Sequence, residues 1–158
     1  MNINIICVGK VKENYFREAM EEYEKRLGRF CKLNVTVIPD KKIPENPTAG
    51  QCEAVLKAEG EQILSKIAKS DKVIAMCVEG KQMSSEKLAE VMKEISFESS
   101  TVDFIIGGSL GLWDEVKKRA EVKLSLSMMT LPHRIARLVL EEQIYRAFKI
   151  NANETYHK

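Results

Sequence analysis

An α/β fold with a mainly parallel sheet flanked by helices is what this sequence predicts, and three observations predict it. Short β-rich apolar segments alternate with amphipathic stretches of helical length from one end to the other. One of those segments, Val73–Val78, is apolar without a break, as befits a strand covered on both faces. The chain has 158 residues, 44% hydrophobic and 30% charged, which suits a single domain over 1–158 and excludes a disordered one.

Asn2–Val8 reads as the first strand, closed by Gly9. Asn14 stands where a helix cap is needed, and Tyr15, Phe16, Ala19, Met20, Tyr23 and Leu27 recur at helical spacing up to a stop at Gly28. Lys32–Ile38 carries four β-branched residues in a row and ends before Pro39, a second strand. Pro44, Pro47 and Gly50 make 40–50 a loop, and loops of that length are usually functional or mobile. A helix follows over Gln51–Ser70, then the buried strand Lys72–Val78. Ser84 or Ser85 starts a helix with Leu88, Val91, Met92 and Ile95 on one stripe. Thr101–Ile106 is a fourth strand, a short helix covers about 112–120, and a strand lies near Val122–Leu126.

The last helix, about His133–Phe148, has two apolar sides. Ile135, Leu138, Val139 and Tyr145 form one, and Ala136, Leu140, Ile144, Ala147 and Phe148 the other. A surface helix should show one stripe. One side therefore packs on the sheet, and the other is either sunk in the same domain or forms the seam of a homodimer, the reading favoured here.

A net charge of +2 excludes a protein held to nucleic acid by bulk charge alone, although a local basic patch remains compatible with it. Cys7, Cys31, Cys52 and Cys77 are scattered, with no C-x-x-C pair, and His133 and His157 are the only histidines. No metal site is expected from that spacing. The apolar runs are too short for a membrane span, and the first nine residues carry no basic leader, so a cytoplasmic location is expected.

In an open parallel sheet, ligands bind beyond the carboxyl ends of the strands. Three such ends stand out: 76–81, Ile106-Gly107-Gly108-Ser109-Leu110-Gly111, and 126–132. The second lacks the G-x-G-x-x-G of dinucleotide folds, and alone it reads equally as a plain strand-to-helix turn. The third, Ser127-Met128-Met129-Thr130-Leu131-Pro132, offers main-chain polar groups and soft side chains, which suit a flat heteroaromatic ring, or simply a packed loop. The polar tail ends in Tyr156, His157 and Lys158. Such a tail is ordinarily frayed, but Arg134, Arg137, Arg146 and Lys149 precede it and could meet phosphates.

Taken together, several motifs resemble the SPOUT-class ribosomal RNA large-subunit methyltransferase H family. They are Val8-Gly9-Lys10, Glu22-Tyr23-x-x-Arg26, Gly107-Gly108-Ser109-x-Gly111, the run Leu124-Ser125-Leu126-Ser127-x-Met129-Thr130-Leu131-Pro132-His133, Glu142-Gln143-x-Tyr145-Arg146-Ala147, and the final Tyr156-His157. The resemblance covers essentially the whole chain. It implies a homodimer with a C-terminal trefoil knot, S-adenosylmethionine as methyl donor, and N3 of a pseudouridine in 23S rRNA of assembled ribosomes as target. By motif it places Met76, Gly107, Leu126, Ser127, Met128, Met129, Thr130 and Leu131 around the donor. The family pattern usually has Leu and an acid where this chain has Met76 and Cys77, so no role for that acid carries over. His157, Tyr156 and Arg137 are the residues expected to orient or activate the pseudouridine, with the tail reaching a second copy's site.

Two other classes compete with this reading. A receiver-like switch would need acids at the end of strand one, where Cys7-Val8-Gly9 stands, and a flavodoxin-like protein would show flavin absorbance. A ribosome-binding factor without activity would fail to bind S-adenosylhomocysteine.

Overall fold

The computed structural model describes residues 1–156. Five strands form one sheet: β1 (Asn2–Val8), β2 (Lys32–Ile38), β3 (Lys72–Lys81), β4 (Thr101–Ile106) and β5 (Val122–Leu124). Their order is β2-β1-β4-β3-β5, and every pairing is parallel. Five helices connect or follow them: α1 (Asn14–Leu27), α2 (Ala49–Leu64), α3 (Ser85–Glu98), α4 (Asp114–Arg119) and α5 (His133–Asn151).

The order dictates the layers. The steps β1→β2 and β3→β4 run toward one edge, whereas β2→β3 and β4→β5 run toward the other. One handedness for every crossover then puts α1 and α3 on one face and α2 and α4 on the opposite face. Side-chain alternation agrees. Ile3, Ile5 and Cys7, with Ile74, Met76, Val102, Phe104 and Ile106, pack beneath Leu27, Met92, Leu140 and Ile144 of α1, α3 and α5. Ile6, Val8, Val73, Ala75 and Ile105 pack against Ile63 of α2 and Val116 of α4.

Several element ends differ from expectation, each for a local reason. Glu13, not Asn14, is the residue before α1. The Asn14 side chain instead accepts from Arg17 one turn on. α2 starts at Ala49 because Thr48 forms a complete capping box with Gln51. It stops at Leu64, six residues before the expected end, with Ser65 Oγ bonding back to the Gln62 carbonyl. β3 runs on to Lys81 and borders Leu124, whereas β5 ends at Leu124 because Ser125 N–H turns to the Lys81 carbonyl.

α5 lies between α1 and α3 and is longer than expected. Leu140, Ile144 and Ala147 are its seated stripe. The expected second side splits. Tyr145 is covered by its own chain, with Phe30 at 5.9 Å and Tyr156 at 4.9 Å between ring centroids. Ile135 and Leu138 are half-buried and Val139 is exposed.

One polar ladder crosses the sheet near its amino-terminal edge. Asn34 donates to Asn4, and Asn4 donates to Asp103 Oδ1 at 2.6 Å. Asp103 is fully buried, and its Oδ2 has no partner among the described residues. Burial, with Asp71 nearby, pushes its carboxyl up to about 6. A raised acid binds more protons folded than unfolded, so stability falls as pH rises from the ordinary 3.8 through about 6. The loss across that window is about 3 kcal/mol. Asp103→Asn is expected to abolish this slope and to raise the urea midpoint at pH 7.5 above that of the parent chain.

Candidate functional site: a cleft at the carboxyl edge of the sheet

All five strands point their carboxyl ends to one edge, and β4 leaves that edge toward the opposite face from its neighbours β1 and β3. A crevice opens where neighbouring connections part. It is a cleft of about 710 Å³, within the range of small-molecule sites. Its walls come from the three segments that the sequence singled out, namely Met76–Glu79 within the carboxyl half of β3 and the turns after β4 and β5, and from the start of α5.

The turn after β4 is shaped by close backbone contact. A Cβ on Gly107 would stand 2.4 Å from the Gly111 carbonyl oxygen, so this position takes only glycine. Gly111 has φ +85° and closes the loop with N–H donation to the Gly108 carbonyl at 3.0 Å. The turn after β5 is held by its own serines. Ser125 Oγ donates to the Ser127 carbonyl at 2.8 Å, and Ser127 Oγ accepts from Met129 N–H at 3.0 Å. The backbone N–H and C=O groups of Leu126, Thr130 and Leu131 make no hydrogen bond among the described residues. The cleft therefore combines an apolar floor, Met76, Ile106 and Leu124, with unspent main-chain donors and acceptors. That composition fits the edge and face of a neutral heteroaromatic ring, and no group of side chains suited to a metal occurs among the described residues.

Charge is confined to one part of the wall. Lys117 holds Glu79 at 2.5 Å, and this ion pair keeps the Glu79 carboxyl below its usual range. Cys77 stands beside them with its thiol pushed up, chiefly by burial. His133 lines the cleft from α5, and its Nε2 is buried without a partner among the described residues. A Cβ on Gly9 would come within 3.1 Å of that nitrogen, so the end of β1 is the imidazole's backing.

Of the residues expected around a donor, Met76, Gly107, Leu126, Ser127, Met129, Thr130 and Leu131 all line this cleft, whereas Met128 points away and is 83% exposed. Arg137 and Tyr156 do not line it. Arg137 is buried beneath α1, with Nε donating to Glu141 at 2.8 Å and Nη2 to Glu24 at 2.7 Å. Tyr156 donates to Glu142 at 3.1 Å, and the Arg146 guanidinium sits 4.7 Å from its ring centroid. Burial and the Glu142 carboxylate push the Tyr156 phenol well above its usual range, so it stays protonated. His157 lies outside the described residues.

Glu79, Lys117 and His133 were not singled out from the sequence. His133 closes a family motif and Glu79 lies in the 76–81 segment, neither with a distinguishing signal, and Lys117 of α4 carries no local signal, because it reaches the cleft only through the fold. Glu141 had a signal: an acid four residues after Arg137 on a stripe otherwise apolar.

A family model described as "Predicted SPOUT methyltransferase" matches residues 1–157. The chain belongs to the SPOUT methyltransferase family. Proteins named ribosomal RNA large subunit methyltransferase H are similar over their full length. That of Ligilactobacillus salivarius is 49% identical, with 100% of both chains covered. That of Clostridioides difficile is 48% identical, again with 100% of both covered. Among solved structures, a probable methylase family protein from Haemophilus influenzae superposes with a TM-score of 0.54 at 14% identity. That match covers 99% of this chain and 70% of the other, and it bears on the fold alone. A SPOUT methyltransferase requires a methyl donor.

Glu141 is fully buried, and burial pushes its carboxyl up to about 7 despite the Arg137 partner. Its Oε2 has no partner among the described residues. Arg137→Leu would strand this carboxyl and Glu24, and is expected to cost about 3–5 kcal/mol in urea unfolding. The double variant Arg137→Leu/Glu141→Leu should recover most of that loss, because two apolar groups of similar volume then replace the pair.

Proposed function

We propose that this chain methylates N3 of a pseudouridine in 23S rRNA of assembled ribosomes, as a homodimer using S-adenosylmethionine. The observation that carries this reading is the cleft: an apolar slot edged by free main-chain groups, in a chain about half identical to named rRNA large subunit methyltransferases. When bound, the donor supplies an electrophilic methyl on a sulfonium, which a nitrogen lone pair takes by in-line displacement.

The protein's task is then placement. Met76, Gly107 and Leu126 to Leu131 hold the adenosyl part, with the open N–H and C=O groups of Leu126, Thr130 and Leu131 meeting the ring edge and the apolar floor its face. The turns keep water away and fix the angle of approach, bringing N3 and the methyl carbon to about 3–3.5 Å in line. The sulfur–carbon bond breaks as the N3–carbon bond forms, the neutral thioether S-adenosylhomocysteine leaves, and the imide proton of N3 passes to solvent water.

Tyr156 and His157 orient the pseudouridine in this reading, and Arg137 contributes by fixing α5. The position of Tyr156 supports a dimer. It packs on Glu142 and Arg146, nine and thirteen residues along α5 from His133 at the cleft. At 1.5 Å per residue the tail sits about 14–20 Å from its own cleft along the helix. A second copy is the nearer way to bring tail and cleft together, and the exposed Met128, Met129 and Val139 beside the cleft give it an apolar surface to cover. The same reading includes a C-terminal trefoil threading.

The direct test is mass spectrometry of rRNA nucleosides after ribosomes are incubated with protein and labelled donor. A labelled N3-methylpseudouridine is expected, and label on another nucleoside, or none, would overturn the reading. Deleting 156–158 is expected to abolish methylation while S-adenosylhomocysteine still binds in calorimetry within about threefold of the full chain. Full activity in that truncated chain would remove the tail from the mechanism.

A further inference from the structure

The cleft accounts for a donor and one base, but it offers a polyanion almost nothing: among the described residues its one ion pair, Glu79 with Lys117, is already satisfied. Exposed cations lie beside it instead. Register fixes where. Val8 of β1 is paired with Ile38 of β2, and Gly9 N–H donates to the Ile38 carbonyl at 2.9 Å. The two chains therefore leave the sheet side by side, one as Gly9-Lys10-Val11-Lys12, the other as Pro39-Asp40-Lys41-Lys42. All four lysines are exposed, and none forms an ion pair among the described residues. Of the acids on these segments, Glu13 is taken by Arg134 at 2.9 Å, leaving Asp40 and Glu45.

Both segments are tied to the cleft wall. Gly9 backs His133, whose ring lines the cleft. On the other side, the buried Glu59 of α2 accepts from Lys41 N–H at 3.0 Å. Its second carboxylate oxygen lies 3.2 Å from the place a Cβ would take on Gly108, in the turn after β4. Glu59 thus pins the 39–48 loop over the glycine turn, although burial raises its carboxyl's pKa. A carboxylate buried there would be a poor choice for packing alone. It sets the backbone of a lysine pair at a fixed position beside the methyl-transfer site.

We infer that Lys10, Lys12, Lys41 and Lys42 form a docking rim for the phosphate backbone of the substrate rRNA, which holds the target nucleotide over the cleft. This rests on the rRNA reading above and adds the surface that reads the backbone. Point-charge ammonium groups on exposed loops suit phosphates without sequence preference, which is what a register-setting contact requires.

Two measurements on the full chain with purified ribosomes test it: steady-state methylation, and direct binding by co-sedimentation, which needs no activity. Lys10→Gln/Lys12→Gln/Lys41→Gln/Lys42→Gln is compared with Lys66→Gln/Lys69→Gln, two exposed lysines between α2 and β3 at the opposite edge of the sheet. The rim variant is expected to raise KM for ribosomes and weaken co-sedimentation by about tenfold or more near 0.15 M salt, with the log–log salt slope shallower by about 3. Its affinity for S-adenosylhomocysteine in calorimetry should be unchanged, and the opposite-edge variant should behave as the parent. Equal KM and binding in rim variant and parent would overturn the rim, as would an equal loss in both variants. If the parent sediments with ribosomes through these lysines yet methylates nothing, the rim stands and the methyl-transfer reading falls. If the parent neither binds nor methylates, both fall.

Discussion

The constraint behind the rest of this molecule is that all five strands run the same way. A parallel strand cannot be reached by a hairpin, so every connection must cross a face, and every strand releases its following turn at one edge. Two turns without strong individual character and the carboxyl half of β3 are thereby gathered around one space, and the reversal of connection direction at β4 keeps that space open. The cleft is a consequence of chain direction more than of any single side chain. Its residues are accordingly glycines, serines and soft apolar groups that let backbone come forward.

Buried charge has a separate role in this architecture. Arg137 joins α5 to α1 through Glu141 and Glu24, well below the surface and one turn along α5 from His133. Such pairs seldom add net stability, because desolvation offsets their attraction. They do penalise every register but one: an α5 shifted by a residue would leave three charges without partners. The helix that carries a cleft wall at its first turn is in this way locked along its axis, while its apolar stripe of Leu140, Ile144 and Ala147 fixes only which face turns inward.

Cleft and rim divide the demands of the reaction. Transfer of a methyl group to a base needs a dry, shaped space where a planar ring is held by main-chain groups, and charges on its walls would retain water there. Recognition of a large polyanion needs the opposite, mobile cations in solvent. Placing the lysines on loops that leave β1 and β2, and the cleft between the end of β3 and the turns after β4 and β5, satisfies both within one edge of one sheet. Glu59 spans the boundary, bonded to Lys41 N–H on one side and packed against Gly108 on the other.

Hydrophobic period and turn chemistry are local, and they were legible along the chain. Strand, helix and breaker alternate so regularly that the α/β class and the position of every element followed, and ends moved where a local contact intervened, as Thr48 does for α2, Ser65 for its stop and the Ser125 N–H for β5. The turns after β4 and β5 were visible as glycine and serine runs after strands, and of the eight residues that the family motifs pointed to, seven line the cleft, Met128 being the one turned outward. What no window of sequence contains is which segments meet across the sheet. Strand order placed Lys117 opposite Glu79, register brought the lysine-bearing segments after β1 and β2 out of the sheet side by side, and packing of α5 under α1 hid Arg137 and Glu141 from solvent and carried Tyr156 away from its own cleft. Those contacts join residues tens of positions apart, and their energies depend on distance and desolvation, quantities that exist only once the chain has closed on itself.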